Sequence, residues 1–545
     1  MMDGSERIAA AEAALGRPAV RLPGQVGIVI AVSGFKLTCL LFGGAEAHES
    51  GYSGVQIGAL VKVPTGSSAA YGFVATLSFA DPTQPAPTAI AEVDLLGETL
   101  GGARGGFARG ISVYPVLGSP LCSATSEDIA LIYAKPNTWT LAIGSLHQDE
   151  TRPAYLLSQE FLSKHSAIVG TTGSGKSCAL TLILRTLLSA HPNGHVVLLD
   201  PHGEYAAAFP DLAERVTPDR LQLPYWLFSF EEACEVFCSS DPIARSREIP
   251  ILKDAILLAK QDYLCDDAAK LAQLTVDTPV PYRINRLEKR IAEAMGKLDR
   301  PDSSMPYGRL LATIEGLRKD RRYAFMLEGL ALRDGMGEIL SRILRIPVEG
   351  KPITIIDISA VPSEIVNAVV SVLCRIIFDF ALHSEREEAI PVLMVCDEAH
   401  RYIPRDERAG FEPTIRSISR IAKEGRKYGV SLCLVTQRPA ELSETILSQC
   451  STIFALRMNN EKDRSYVRAM LPDDAAGLMS ALPTLRQREA IAVGEGVAHP
   501  MRIRFADLPP EHRPRGEAAN FPKAWEDDRK GRDFVNEIIE RWRQK

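Results

Sequence analysis

The sequence has no excess of positive charge: 62 lysines and arginines face 68 acids, a formal net charge of −6. That excludes a protein that coats nucleic acid by bulk electrostatics, so any such contact has to come from a local basic surface. Cysteine is not arranged for chemistry. The ten cysteines are scattered, several inside apolar patterns (Cys39, Cys396, Cys433), and the close pair Cys234 and Cys238 lacks zinc-ligand or redox spacing. Reduced, buried thiols in a cytoplasmic protein are the expectation. Long uninterrupted apolar runs are missing too. Met1 to Gly16 carries acids and no apolar stretch, so a signal peptide is not expected. The most lipid-like segment, Val366 to Leu382, is broken by Arg375 and Asp379 and fits a buried helix, not a membrane span. No internal repeat is visible.

What is there suits several domains with sizeable cores, since 46% of the 545 residues are hydrophobic and 24% charged. Residues 1–150 carry short alternating runs separated by Gly/Pro/Ser turns. Val26, Ile28, Ile30 and Val32 form one, Leu37, Cys39 and Leu41 another, and more strands are expected at Gln56 to Val63, Gly72 to Phe79, Ile90 to Leu96 and Ile129 to Ala134. That spacing suggests a small β-barrel. Beyond residue 165 apolar runs lose their alternation, at Ala167 to Val169, Val196 to Leu199, Ile353 to Ile358, Val392 to Cys396, Val430 to Val435 and Ile453 to Leu456. Followed by helical patterns, they predict an α/β core with a mostly parallel sheet buried on both faces. The core is expected in two parts, 151–210 and 351–508. Residues 211–350 are expected to be a helical insertion with Ile284, Leu287, Ile291, Met295 and Leu298 as one stripe, and 509–545 a polar tail ending in a helix near Asp533 to Arg543.

One loop carries chemistry. Gly170-Thr-Thr-Gly-Ser-Gly-Lys-Ser177 fits the phosphate-binding pattern G-x-x-x-x-G-K-[ST], between an apolar strand and a helix. Its residues Gly170, Thr171, Thr172, Gly173, Ser174, Gly175, Lys176 and Ser177, with the following Cys178, are the candidate cradle for ATP. Lys176 is suited to the β and γ oxygens and Ser177 to Mg²⁺. The buried run Pro391 to Cys396 ends in two acids. Asp397 is suited to the metal shell and Glu398 to polarising the attacking water, although two acids at a strand end also occur as helix caps. Gln437, after the run Val430 to Thr436, is a candidate γ-phosphate sensor. Asp200-Pro-His-Gly-Glu-Tyr205 ends another strand, with His202 and Glu204 as secondary candidates beside the reading of a plain Pro/Gly turn.

Between Arg401 and Lys427 eight bases stand against four acids. Arg416, Arg420, Lys423 and Lys427 step along one helical face. A solvated face is one reading. A trans-acting arginine finger is a second, and a track for nucleic-acid phosphates made of Arg401, Arg405, Arg408, Arg416 and Lys423 a third. The residues alone leave these open.

Taken together, the P-loop segment from His165, Asp200 to Tyr205, Asp397-Glu-Ala-His400, Ile421-Ala-Lys-Glu-Gly-Arg-Lys-Tyr-Gly429, Thr436-Gln-Arg-Pro439 and Leu456 to Asp463 resemble the HerA ATPases. The resemblance implies a RecA-like core of the HerA/FtsK group, an N-terminal barrel of the type shared with rotary ATP synthases, and a homohexameric ring. It implies Mg²⁺-ATP-dependent movement of double-stranded DNA beside an effector, either a NurA-like or other nuclease in end processing or a sirtuin-like NAD hydrolase in antiphage defence. A ring that chiefly assembles and regulates such an effector is the alternative. By the same resemblance Lys176, Ser177, Asp397, Glu398 and Gln437 are the catalytic set. Arg426 is the first choice and Arg420 the second for the arginine acting across the interface, and Lys164 stands where relatives carry another base. Arg488 departs from the family, which often has glycine there.

Overall fold

A computed structural model gives the fold, and it describes residues 22–544 except 43–54, 67, 81–88, 100–104, 218–219, 221–222, 266, 299–300, 328–333, 386, 472–475, 516–524 and 527–530. The alternating N-terminal segments pair antiparallel as β1 (Gln25–Ser33), β2 (Lys36–Leu41), β3 (Leu60–Thr65), β4 (Ser68–Phe79), β5 (Ala89–Thr99), β6 (Phe107–Arg109) and β7 (Pro120–Ser123). The order β2-β1-β7-β3-β4-β5 closes through a β2–β5 pairing, so six strands form a barrel and β6 hangs on β5. Closure removes the free edges that short strands would otherwise expose. Val29, Leu37, Cys39, Val61, Val63, Val74 and Val93 fill the interior.

The run Ile129 to Ala134, expected as a strand, is instead the end of a helix, Ser126–Ile132. Its apolar residues misled, but Thr125 and Asp128 form a capping box that fixes the helical start. Asp128 also takes an ion pair from Lys62 and a hydrogen bond from Tyr71 Oη, both at 2.7 Å, which ties the helix to the barrel.

The core is one sheet of eleven strands. Seven are parallel, in the order β12 (Ala213–Val216), β13 (Ile353–Asp357), β11 (Val196–Asp200), β14 (Val392–Cys396), β15 (Val430–Thr436), β10 (His165–Val169) and β16 (Cys450–Leu456). Four antiparallel strands extend it: β17 (Glu489–Gly494), β18 (Met501–Phe505), β8 (Thr140–Leu146) and β9 (Pro153–Leu157). Strands β8 and β9 straddle residue 150, and β12 lies inside the stretch 211–350. This is a mixed α/β fold with a largely parallel sheet.

Every residue of β10, β11, β13, β14 and β15 is buried, as the absence of alternation requires. One face is covered by the helix Lys176–Ala190 and the other by the long helix Ser363–His383. The latter passes by length and composition as a membrane span, yet 72% of its apolar window is buried inside the fold. Arg375, the charge that interrupts it, donates to Glu232 Oε2 at 2.9 Å, and Ser371 donates to Glu232 Oε1 at 2.7 Å. Glu232 is 1% exposed, so these bonds pin the helix Phe230–Phe237 of the insertion to the core. The expected stripe of the insertion buries Ile284, Leu287 and Ile291 on the helix Ile284–Met295, while Leu298 lies beyond its end and is exposed.

Barrel and core meet at a histidine. His499 packs edge-to-face with Phe107 of β6, ring centroids 4.8 Å apart, and with Tyr133, 6.3 Å apart. Burial, helped by Arg109, pushes its pKa from 6.5 down to about 4. Between those values the unfolded chain takes up a proton that the folded chain refuses, so stability falls as the pH drops from 6.5 toward about 4. Thermal melts over that range should show His499→Phe losing less stability on acidification than the parent chain. Equal slopes would place the acid lability elsewhere.

Candidate active site

Four strand ends converge. Because β10, β11, β14 and β15 run parallel, Val169, Asp200, Cys396 and Thr436 finish at one sheet edge, the edge where open α/β sheets bind ligands. Strand β15 separates β10 from β14, which sets Gln437 between the loop and the acids.

The loop after β10 needs its glycines. Gly173 has φ 74° and Gly175 φ 102°, the left-handed region where side chains are strained. A Cβ on Gly170 would meet Leu456 Cβ and Ser174 Oγ, each at 2.8 Å. Ser174 Oγ donates to Thr171 O at 2.7 Å, closing the loop on itself. The helix that follows starts at Lys176 with no side-chain cap, so its first N–H groups face the loop and favour an anion. Lys176 is buried and donates to Thr171 O at 3.2 Å. Burial lowers its pKa, and the neighbouring Glu398, Asp397 and Glu204 oppose that shift.

The acids lie across from it. Burial, reinforced by Glu398, pushes Asp397 up to about 8. A carboxylate so disfavoured is one that a cation would stabilise. Ser177 Oγ donates to Glu204 Oε2 at 3.4 Å, so a hydroxyl and two carboxylates border one spot. This donor set fits Mg²⁺, and the glycine cradle with its lysine fits a nucleotide triphosphate. Ser177 and Asp397 would hold the metal, directly or through water, and the metal would neutralise charge on the phosphates. Glu398 sits just past the strand with φ 48°, next to Asp397 and near Lys176. Thr172 Oγ1 hydrogen-bonds Gln437 Oε1, so the sensor candidate already touches the loop.

Sequence reasoning named His400 only as part of a motif. Its Nδ1 lies 3.3 Å from Glu398 Oε2 and 3.1 Å from Thr436 Oγ1, and Thr436 Oγ1 also accepts from Arg438 N at 3.0 Å. The histidine therefore bridges Glu398 to the end of the strand that carries Gln437. The spacing Asp-Glu-x-His at a strand end was the available signal. Asp200 caps its own turn, accepting from the backbone N–H of His202, Glu204 and Tyr205. His202 is exposed, and Glu204 is the member of that motif that reaches the site.

Of the basic candidates, Arg401 lies beside the acids, its backbone N–H donating to Glu398 O at 2.9 Å, and most of the others lie elsewhere. The helix Glu412–Glu424 runs back along the sheet, and Arg416 is paired with Glu231 and with Glu412 at 2.5 and 2.6 Å. Arg420 stacks on Phe378 at 4.5 Å and lies 3.4 Å from Asp379. Arg405 covers Tyr466 at 5.3 Å. Arg401, Arg408 and Lys423 are exposed. Arg426 is exposed in the turn Gly425–Tyr428 that precedes β15, and Lys164 immediately precedes β10. Both stand at the sheet edge opposite the P-loop.

Residues 141–377 match the family described as "Helicase HerA, central domain". That stretch of the chain is similar to a HerA central domain. That match opens at β8 and contains the P-loop and Asp200, and it ends before Asp397. The chain is also a distant homologue of the archaeal HerA helicases. It is 27% identical to a probable helicase of Methanocaldococcus jannaschii over 82% of this chain and 80% of that protein. To the DNA double-strand break repair helicase HerA of Sulfurisphaera tokodaii it is 27% identical, over 75% of this chain and 77% of the relative. For the same-named protein of Pyrococcus furiosus the identity is 25%, over 71% and 73%. Among solved structures, VirB4 of Thermoanaerobacter pseudethanolicus aligns with 70% of this chain and 99% of its own, at a TM-score of 0.47 and 14% identity.

Proposed function

We propose that this protein is a Mg²⁺-ATP-driven motor that moves on double-stranded DNA as a homohexameric ring. The observation that carries the ATPase part is the convergence of Lys176, Ser177, Asp397, Glu398 and Gln437 on one sheet edge. In that arrangement Lys176 and the loop hold the phosphates. Glu398 orients and polarises the attacking water, and Gln437 reports on the γ-phosphate through its contact with Thr172. Support for the DNA part is the kinship with the archaeal HerA helicases. Support for the ring is the division of the charged candidates, with Arg426 and Lys164 at the edge away from their own nucleotide.

The measurement is ATP turnover with and without linear double-stranded DNA. Stimulation of several-fold or more that weakens as salt rises is expected, because phosphate contacts release counterions. A second reading, a ring that chiefly regulates an effector protein, draws on the barrel turn where Val116 and Leu117 are 70% and 67% exposed. Under that reading DNA leaves turnover unchanged, and Val116→Glu with Leu117→Glu abolishes effector activity while sparing ATP hydrolysis.

A further inference from the structure

The turn that enters β17 lies directly against the P-loop. Gln487 Nε2 donates to Gly173 O at 3.4 Å, and the backbone N of Arg488 is 3.6 Å from where a Cβ on Gly175 would stand. Arg488 itself has φ 67°, a left-handed conformation that favours glycine. A long charged side chain at such a position, beside a phosphate-binding loop, calls for a reason beyond folding.

Its surroundings supply one. The Arg488 guanidinium is ion-paired with Asp507, just past β18, and the same carboxylate lies 3.9 Å from Arg513 Nη2. Two cations thus share one acid whose side chain is 70% exposed. Cys178, at the start of the P-loop helix, follows directly on the loop that the Arg488 turn touches at Gly173 and Gly175. The acids lie by the residues just before it, with Ser177 Oγ donating to Glu204 Oε2 at 3.4 Å. The loop and helix start therefore have an acidic side near Ser177, suited to the metal and the γ-phosphate, and a basic side where the Arg488 turn touches Gly173 and Gly175. A polyphosphate seated on the loop with its γ end at Lys176 carries its inner phosphates toward that basic side.

We propose that Arg488 is a nucleotide-binding residue: on binding, its guanidinium leaves Asp507 for the α- and β-phosphates, the part common to ADP and ATP. Asp507 is then a resting partner that competes with the ligand, and Arg513 stays behind to pair with it. The inference rests on the nucleotide reading of the P-loop.

Fluorescent ADP and ATP titrated into the full-length protein test it. Arg488→Gly suits the backbone, so the fold should be kept. Its Kd for ADP and for ATP should rise together by about tenfold, as the loss of a charge-assisted contact implies, with kcat at saturating ATP within about twofold. Arg488→Lys should restore part of the affinity. Asp507→Asn, which removes the competitor, should tighten both nucleotides, a result that a purely structural turn does not produce. Unchanged affinities in Arg488→Gly, or a loss confined to ATP, overturn the proposal. Lys176→Ala run in parallel separates the two readings. If it abolishes binding while Arg488→Gly binds normally, only the Arg488 assignment fails; if it binds normally, the P-loop reading fails and takes this one with it.

Discussion

Glu398→Gln is expected to stop ATP turnover almost completely and to leave nucleotide binding in place. The glutamine keeps the size of the side chain and the position at φ 48° after β14, but it no longer accepts a proton or holds the charge that polarises water. A positioned general base is worth about 10²–10⁴-fold, and that is the loss expected in kcat. Binding should survive because Lys176, the loop glycines and Ser177 are untouched. Losing the Glu398 charge also removes the second-largest cause that holds Asp397 up near 8, so the metal-side carboxylate ionises more readily and affinity for Mg²⁺-nucleotide should hold or rise. The pair of measurements is single-turnover hydrolysis and nucleotide titration. Normal turnover would remove Glu398 from its role, and lost binding would mean that the residue serves the loop's architecture.

How much of this was legible in the sequence depends on how local each signal is. The P-loop is a local pattern, fixed by the φ > 0 demands of Gly173 and Gly175, and its boundaries need no tertiary contact. Fully buried parallel strands are equally plain, because β10, β11, β13, β14 and β15 are mostly apolar with no polar alternation. The barrel was visible as alternation, but its closure was not, since the β2–β5 pairing joins strands about 50 residues apart. The helix at Ser126–Ile132 was missed because a capping box outweighed an apolar run that suits either structure. Strands β8 and β9 precede the P-loop in sequence yet extend the far edge of its sheet, a placement that no composition shift announces. The site shows the same divide. Asp397 and Glu398 were legible because they end a strand. His400 was not singled out, because its importance lies in reaching Thr436 on a different strand.

The basic helix illustrates the limit most sharply. By spacing, Arg416, Arg420, Lys423 and Lys427 form one face with equal claims. Packing breaks the tie, since Arg416 and Arg420 are engaged by acids of the insertion and the long core helix. Charge counting along a sequence treats paired and unpaired bases alike, whereas a surface that tracks phosphates needs the unpaired ones. Arg401, Arg408 and Lys423 are the exposed members left for that role.

Arg426→Ala is expected to lower turnover about 10³-fold or more, the scale of an arginine finger, and the loss should be curable by a second defective subunit. The residue cannot serve its own site. It stands before Val430, the nucleotide edge is reached at Thr436, and the seven residues of β15 span about 20 Å. Its turn is held firmly, because a Cβ on Gly425 would meet Val430 O at 2.4 Å. Arg420, the second choice, is spent on Phe378 and Asp379. An exposed arginine on a turn at the sheet edge away from its own P-loop suits a head-to-tail ring in which each subunit completes the next one's site. The decisive experiment co-expresses Arg426→Ala with Glu398→Gln. Each alone is inactive, the first for want of the arginine and the second for want of the base. In mixed rings, an Arg426→Ala subunit whose nucleotide faces a Glu398→Gln neighbour has both groups. With random assembly about a quarter of the interfaces are of that kind, so part of the turnover should return in proportion. If Arg426 acted within its own chain, no mixture would recover activity, and the ring would have to be completed by another base, with Lys164 at the same edge as the next to replace.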